Sequence, residues 1–340
     1  SAEINCMAYW LKRQVKSMKI NKLNLKWKDS PLRSKLLGYH LTDGWIYRSA
    51  VYILLIAIAY VFLYPLLRMI SMTFMSTADL INPEIDWVPQ NWSLTNLRVA
   101  WTVMDMPSTI FNSLWYSGTL ALAQTFVSAM TGFAFARYQF KFKNFWFLMV
   151  LLSFVIPVPL VLIPRWMMFI TVQNMTGLKL IGTIFPQLLM SMVGQGVYSA
   201  ILILIFFNFF KMIPVSLDEA ARIDGATSWQ VFYHIILKMS VPTIATVFLF
   251  SFVWNYNESY ITSTFVRTAM KLMPLQLSLF DSIFERMSAN VPGAPGGQFR
   301  INESFKMAAT LITMAPMMIM YLFVQRQFVE GIEKTGITGE

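Results

Sequence analysis

The segment Ser216-Leu217-Asp218-Glu219-Ala220-Ala221-Arg222-Ile223-Asp224-Gly225-Ala226-Thr227 is a polar helix-and-turn set among long apolar runs. Ser216 and Glu219 stand three apart, the spacing of a capping box that satisfies the first free N–H groups of a helix. Ala220 and Ala221 keep such a helix thin, so another protein surface can come close to its backbone. Gly225 supplies the left-handed residue that stops it. Thr227 and Gln230 repeat the capping-box spacing and restart a helix through Trp229, Phe232 and Ile236, which is expected to end near Pro242. A capped helix pair with a glycine elbow, hung between apolar spans, is predicted to be held by something else.

The surrounding runs set the class. Apolar residues make up 56% of the 340 and charged residues 13%, with a mean hydropathy of +0.54. A soluble domain carries about a quarter charged residues. Uncharged runs of roughly bilayer length, about 20 residues, predict spans near 49–72, 108–136, 144–164, 183–210, 239–257 and 307–325. Arg68 interrupts the first. Because that first run begins near residue 49, no cleavable leader is expected. The expected fold class is an all-α polytopic membrane protein with six transmembrane helices.

Basic residues are retained on the cytoplasmic side of a membrane. Segment 1–48 holds Lys12, Arg13, Lys16, Lys19, Lys22, Lys26, Lys28, Arg33, Lys35 and Arg48 against Glu3, Asp29 and Asp43. The connection 73–107 carries Asp79, Glu84, Asp86 and Asp105 against Arg98, and the next is basic again at Arg137, Lys141 and Lys143. The alternation predicts both termini inside. A basic N-terminal segment at 1–48 would precede a permeation domain at 49–325 and a cytoplasmic tail at 326–340. Within the domain, the 211–238 connection falls in the cytoplasm and the 258–306 loop outside.

The net charge of +10 is therefore mostly topology. Trp10, Leu11, Val15, Met18, Ile20, Leu23, Leu25 and Trp27, interleaved with the N-terminal basic residues, suit an interfacial helix on an anionic bilayer surface. A pure orientation signal fits them equally. Nucleic-acid binding is not expected, since no basic domain lies in water. The elbow's superficial likeness to a helix-turn-helix is countered by its tether between two spans.

Much chemistry is excluded by what is missing. Cys6 is the only cysteine, so no disulfide or cysteine-based metal site is expected within the chain. His40 and His234 are the only histidines and fall in predicted cytoplasmic segments. No G-x-G-x-x-G, Walker A, H-E-x-x-H or G-x-S-x-G pattern occurs. Catalytic residues and metal ligands are expected to be none. Apart from Arg68, no ionisable residue falls well inside a predicted span, which disfavours an ion-driven carrier. Energy for uphill movement would then enter through a partner, with the elbow as its socket.

Glu219-Ala220-Ala221 followed by Gly225, with Ile235 and Leu237 at the expected offsets, resembles the EAA signature of binding-protein-dependent ABC importer permeases. The setting is similar to the maltose-type sugar branch, specifically its second permease subunit. Phe209-Phe210-Lys211-Met212-Ile213-Pro214 leads into the signature, and Ile223-Asp224-Gly225-Ala226 continues it. Gly132-Phe133-Ala134-Phe135-Ala136-Arg137, Ile156-Pro157, Leu162-Ile163-Pro164 and Trp254-Asn255 match the branch at other spans. So does Gln325-Arg326-Gln327-Phe328-Val329-Glu330-Gly331-Ile332 in the tail. The likeness runs from about residue 50 to the end. Lys238 departs from it where the signature ends in Pro, so the second elbow helix is expected to run on towards the membrane. The tail also lacks the usual basic ending. The 258–306 loop is long, with Val291-Pro292-Gly293-Ala294-Pro295-Gly296-Gly297 as an insertion. The insertion and Asn82-Pro83-Glu84-Ile85-Asp86-Trp87 resemble permeases for oligosaccharides from complex polysaccharides.

The resemblance implies a type I ABC importer permease fold in the bacterial cytoplasmic membrane. Its implied partners are a second homologous permease, favouring a heterodimer, two ATPase subunits, an extracytoplasmic solute-binding protein and a sugar substrate. ATP and Mg would be bound by the ATPase subunits, leaving this chain without a cofactor. The implied ATPase-coupling residues are Glu219, Ala220, Ala221, Asp224, Gly225, Gln327 and Gly331.

Trp254, Asn255, Asn257 and Glu258 are candidates to border the solute path, since sugars favour aromatic faces and amide hydrogen bonds. They also suit interfacial anchoring. Gln195, between Gly194 and Gly196, is a further candidate, and close helix packing is its alternative reading. Pro157, Pro159 and Pro164 are expected to end or kink the third helix. An importer of another solute class, an ion-coupled carrier or a channel stands as the alternative function. A membrane-embedded enzyme would need a nucleophile or metal cluster that the sequence lacks.

Overall fold

The structure is a computed structural model describing residues 45–289 and 302–334. The interfacial reading of the N-terminal segment, the insertion at 291–297 and the tail beyond Lys334 fall outside the described residues. The described residues are helical, with one antiparallel bridge between Met75 and Trp92. The chain divides into two compact units, 1–69 and 70–340.

In the first unit, residues 45–69 form most of α1 (Trp45–Phe74). Its side chains are apolar all round, and Ile53, Val61 and Phe62 are about 70% exposed (68%, 69% and 73%). A helix that is greasy on every face suits lipid or a helical neighbour rather than water.

The second unit is built on α4 (Met106–Arg137), reached through the short helices α2 (Thr77–Ile81) and α3 (Thr95–Val103). Its 32 residues make a rod of about 48 Å. The chain then forms α5 (Lys143–Val155), α6 (Val158–Thr176), α7 (Phe185–Met192) and α8 (Ser199–Met212). The elbow follows as α9 (Val215–Ile223), α10 (Ser228–Gln230), a π-helical turn (Val231–Ile236) and α11 (Leu237–Met239). Beyond it lie α12 (Val241–Asn257), α13 (Tyr260–Phe265), α14 (Met273–Ser278), α15 (Phe280–Ala289) and α16 (Glu303–Lys334).

α8 and α12 both pack along α4. Close packing is set by Gly132, where a Cβ would sit 2.7 Å from Phe206 Cβ and 3.0 Å from the Phe207 nitrogen. One core joins Phe133 of α4, Leu202, Phe206 and Phe210 of α8, and Val231, Phe232 and Ile236 of the elbow. A second joins Met104, Met106, Phe252, Tyr256, Met273, Phe280 and Ala308. The elbow is therefore packed onto the helical body through its second helix.

Among the described residues, three helices, within 47–74, 106–137 and 303–323, are long and apolar enough to cross a bilayer alone. Three bent pairs reach that length together, giving up to six crossings. The predicted third span, 144–164, is broken: α5 and α6 meet at 101°, with Ile156 and Pro157 at the joint. It runs on to Thr176 rather than stopping at Pro164. The predicted 183–210 span is also interrupted, because residues 193–198 leave helical geometry between α7 and α8. Gly194 (φ +73°) and Tyr198 (φ 51°) sit in the left-handed region at the two ends of that break. The elbow helix Ser228–Met239 ends at an 82° bend before α12, where Pro in the first turn of the new helix has no N–H to continue the old ladder.

Candidate functional site

Two places concentrate polar function: the elbow and a cavity where the helices break. At the elbow, the expected Ser216–Glu219 capping box does not form. The helix begins two residues earlier, with Pro214 as N-cap and no side-chain cap bond, so Ser216 is already helical and its hydroxyl cannot fold back to the third N–H. The helix end matches the reading. The Gly225 N–H donates to Arg222 O (3.1 Å) and the Ala226 N–H to Ala221 O (2.9 Å). With Gly225 at φ +84°, these are the bonds of a Schellman stop. The Thr227–Gln230 capping box is complete in both directions. The π turn and α11 then carry the helix through Lys238 to Met239.

Glu219, Ala220, Asp224 and Gly225 are exposed, and Ala221 is half-buried against the core. Ile223, at 85% exposure, and the exposed Leu217, Trp229 and Tyr233 leave apolar side chains uncovered on the elbow. Asp218 points the other way. It is buried and ion-paired with Arg137 at the end of α4, while Arg222 lies over the Tyr138 ring. Sequence reasoning missed this fastening, because its partners are some eighty positions apart. Gln327 and Gly331 lie on the last turns of α16, and their side chains fall outside the described residues. His234 is exposed, with Nδ1 3.3 Å from Gln230 O.

The cavity holds about 500 Å³ between the α5–α6 joint, the 193–198 break and the end of α12. Gln195, Trp254, Asn257 and Glu258 all line it, so four of the five candidate path residues meet at one place. The fifth, Asn255, does not. It is buried and donates to Gln124 Oε1 (2.6 Å) and Ser251 O (2.8 Å). Gln124 Nε2 donates in turn to Val197 O and Ser199 Oγ, both 3.1 Å, and Ser251 Oγ donates to Gln124 Oε1. This amide hub ties α4, the 193–198 break and α12 together, so Asn255 supports the cavity wall without facing it.

Glu258 is occupied structurally. Its carboxylate accepts from the Ile261 and Thr262 N–H groups, each at 2.8 Å, and from Thr262 Oγ1 at 3.0 Å, capping α13. Trp254 packs edge-on to Tyr198 and stacks on Phe250. Arg165 of α6 lies one residue past Pro164, where the sequence pattern places the end of the third span. The apolar run resuming at Trp166-Met167-Met168-Phe169-Ile170 is the signal that this helix continues past the charge. Arg165 lines the cavity and donates from Nη2 to Gln195 Oε1 (2.9 Å). Among the described residues, no cluster of metal-ligating side chains occurs.

Long apolar crossings, helices broken around a solute-sized cavity and an exposed capped elbow define a multi-helix membrane permease. Residues 124–334 match the family described as binding-protein-dependent transport system inner membrane component, and the chain belongs to that family. It is 27% identical over 309 residues to the arabinooligosaccharides transport system permease protein of Halalkalibacterium halodurans, covering 90% of this chain and 98% of the relative. It is 24% identical over 281 residues to the diacetylchitobiose uptake system permease protein of Streptomyces coelicolor, covering 83% and 86%. Its fold is similar to a chain of a bacterial ABC transporter involved in the import of the acidic polysaccharide alginate. The TM-score is 0.65 at 22% identity, over 83% of this chain and 96% of that one.

Proposed function

We propose that the chain is one permease subunit of an ABC importer for a sugar or oligosaccharide. It crosses the bacterial cytoplasmic membrane six times with both termini inside, and forms the translocation path with a second, homologous permease. An external binding protein delivers the solute. Two ATPase subunits bind ATP and Mg, and this chain catalyses no reaction itself. The elbow docks in a groove on one ATPase subunit, with Glu219 towards donor groups and Ala220 against the groove floor. Closure of the ATPases on ATP draws the two permease elbows together and turns the cavity outward.

The observation that supports this reading best is the elbow itself. Its second helix is packed into the core while Leu217, Ile223 and Trp229 stand exposed beside Glu219, a rigid knuckle with an apolar tip. The cavity's aromatic and amide lining suits a sugar. The relatives named for arabinooligosaccharide transport and diacetylchitobiose uptake point the same way.

Reconstitution of the complete importer in proteoliposomes tests it. Gly225→Val and Glu219→Lys are expected to abolish sugar-stimulated ATPase activity while membrane insertion persists. Normal ATP-driven uptake by both variants would refute the docking role.

A further inference from the structure

Arg165 lines the cavity and is half-buried. It bonds to Gln195, in the 193–198 break that Gln124 anchors through Val197 and Ser199. Gln124 stands thirteen positions before Arg137 on α4, which is about 20 Å along the helix from its cytoplasmic end. On the permease reading, with Arg137 at the membrane boundary, that distance falls inside a hydrocarbon core about 30 Å thick and carries the break and Arg165 with it. Ionisable groups at such depth line solute paths and find an opposite charge or a polar cavity.

Arg165 has no carboxylate within ion-pair distance among the described residues. Its hydrogen-bond partners are neutral: Gln195 Oε1 at 2.9 Å and, at 3.5 Å, Gln195 O. Among the described residues, the carboxylate on the same cavity wall is that of Glu258, and it spends both oxygens on the N–H groups and hydroxyl that start α13. The cavity thus presents a guanidinium fork beside the rings of Trp254, Tyr198 and Tyr260 and the amide of Asn257. A planar fork matches a carboxylate with two parallel charge-assisted bonds, and the rings match sugar faces.

We infer that Arg165 and Gln195 form a carboxylate-binding subsite, so that the cargo is an acidic sugar of the uronate class. This inference rests on the permease reading above and names its substrate class. Gln195 holds the fork until the cargo arrives and then yields one donor edge to it.

The test uses the complete importer with one binding protein throughout, so that protein's own selectivity cancels between variants. Uptake of trigalacturonate is compared with uptake of the neutral galactose trisaccharide. The wild type is expected to prefer the uronate. Arg165→Gln is expected to lower the acidic-to-neutral uptake ratio at least about tenfold, because a charge-assisted pair is lost. Gln195→Glu, which neutralises the fork from within and changes little volume, is expected to do the same. Arg165→Lys, with charge but no fork, should fall between. A wild type that prefers the neutral sugar, or a ratio that neither variant moves, overturns the subsite and leaves the permease reading standing. ATP-driven movement of neither sugar would overturn the uronate class, while the permease reading is judged separately by the ATPase coupling of Gly225→Val and Glu219→Lys.

Discussion

Arg137 Nε lies 3.1 Å from Asp218 Oδ2, and the two side chains are only 5% and 7% exposed. The same guanidinium donates from Nη2 to Ile213 O at 2.7 Å, where α8 gives way to the elbow. One side chain at the end of α4 thus holds the carbonyl that follows α8 and the first turn of α9. Movement of the elbow must either carry the end of α4 with it or break this pair.

Removing one partner strands the other charge out of water, which costs roughly 3–5 kcal/mol, whereas replacing both by apolar residues is often neutral. Asp218→Ala and Arg137→Met are therefore each expected to lower the thermal midpoint of the detergent-solubilised importer. The double variant Arg137→Met/Asp218→Leu should regain most of the loss. Its sugar-stimulated ATPase activity should still fall short of wild type, because the elbow has lost its polar fastening to α4. Equal stability of the single and double variants would contradict the pairing.

Two glycines are required for different reasons, and substitution separates them. A β-carbon placed on Gly225 would meet no atom within 4 Å, so only the φ of +84° resists a side chain there. Asn tolerates that region and Val does not, at a cost of about 1–2 kcal/mol. Gly225→Asn is expected to keep most coupling and Gly225→Val to lose it. Gly132 meets backbone and Phe206 instead, so even Gly132→Ala should force α4 and α8 apart at about 1–3 kcal/mol. Cysteine cross-linking between the two helices would register that separation.

Gln124 supplies both ends of its amide to the hub beneath the cavity, and it is fully buried at 0% exposure. Gln124→Leu keeps the volume but takes the donor from Val197 O and Ser199 Oγ and the acceptor from the Ser251 hydroxyl, leaving Asn255 only its bonds to Ser251. Each buried polar group left without a partner costs about 1–3 kcal/mol. The variant is expected to insert but to unfold at markedly lower temperature. Gln124→Glu should fare better, since it retains the acceptor for Asn255 and Ser251.

How much of this was legible follows from the range of each signal. The turn chemistry of Gly225 and the Thr227–Gln230 box is local, a few residues in reach, and the sequence displays it directly. Ser216 does not cap because Pro214 fixes the helical start two residues earlier. The apolar runs marked the spans but not their breaks: the 193–198 interruption rests on a Gln124 that is about 70 positions away, which no local pattern contains. Gln195, Trp254, Asn257 and Glu258 were legible as polar or aromatic breaks in apolar text. Asn255 was not separable from its neighbours, because which face of α12 looks into the cavity depends on where α4 packs. Arg165 and Asp218 were passed over for one reason: a charge beside a Pro or a charged neighbour reads as an exposed flank until tertiary packing encloses it.

The connection that leads into α4 offers a pH test. Asp79 is buried at 1% exposure and accepts from the Asn91 N–H (2.8 Å) and from Asn91 Nδ2 (2.9 Å). Burial alone would raise its carboxyl above the usual range, but the Asn91 bonds, with help from Ser76, take it below. A carboxylate with a depressed folded value contributes stability that is complete above its unfolded value and is lost as pH falls through the folded one. The connection that Asn91 pins beside the Met75–Trp92 bridge is therefore expected to resist proteolysis at neutral pH and to loosen below about pH 4, near the unfolded aspartate value. Asp79→Asn keeps a similar shape without the charge, so its protection should be weaker at pH 7 and flat across the same range. Limited proteolysis of both forms between neutral and acidic pH reads this out. A wild-type loop equally protected at every pH would show that the Asp79–Asn91 clasp does not hold it.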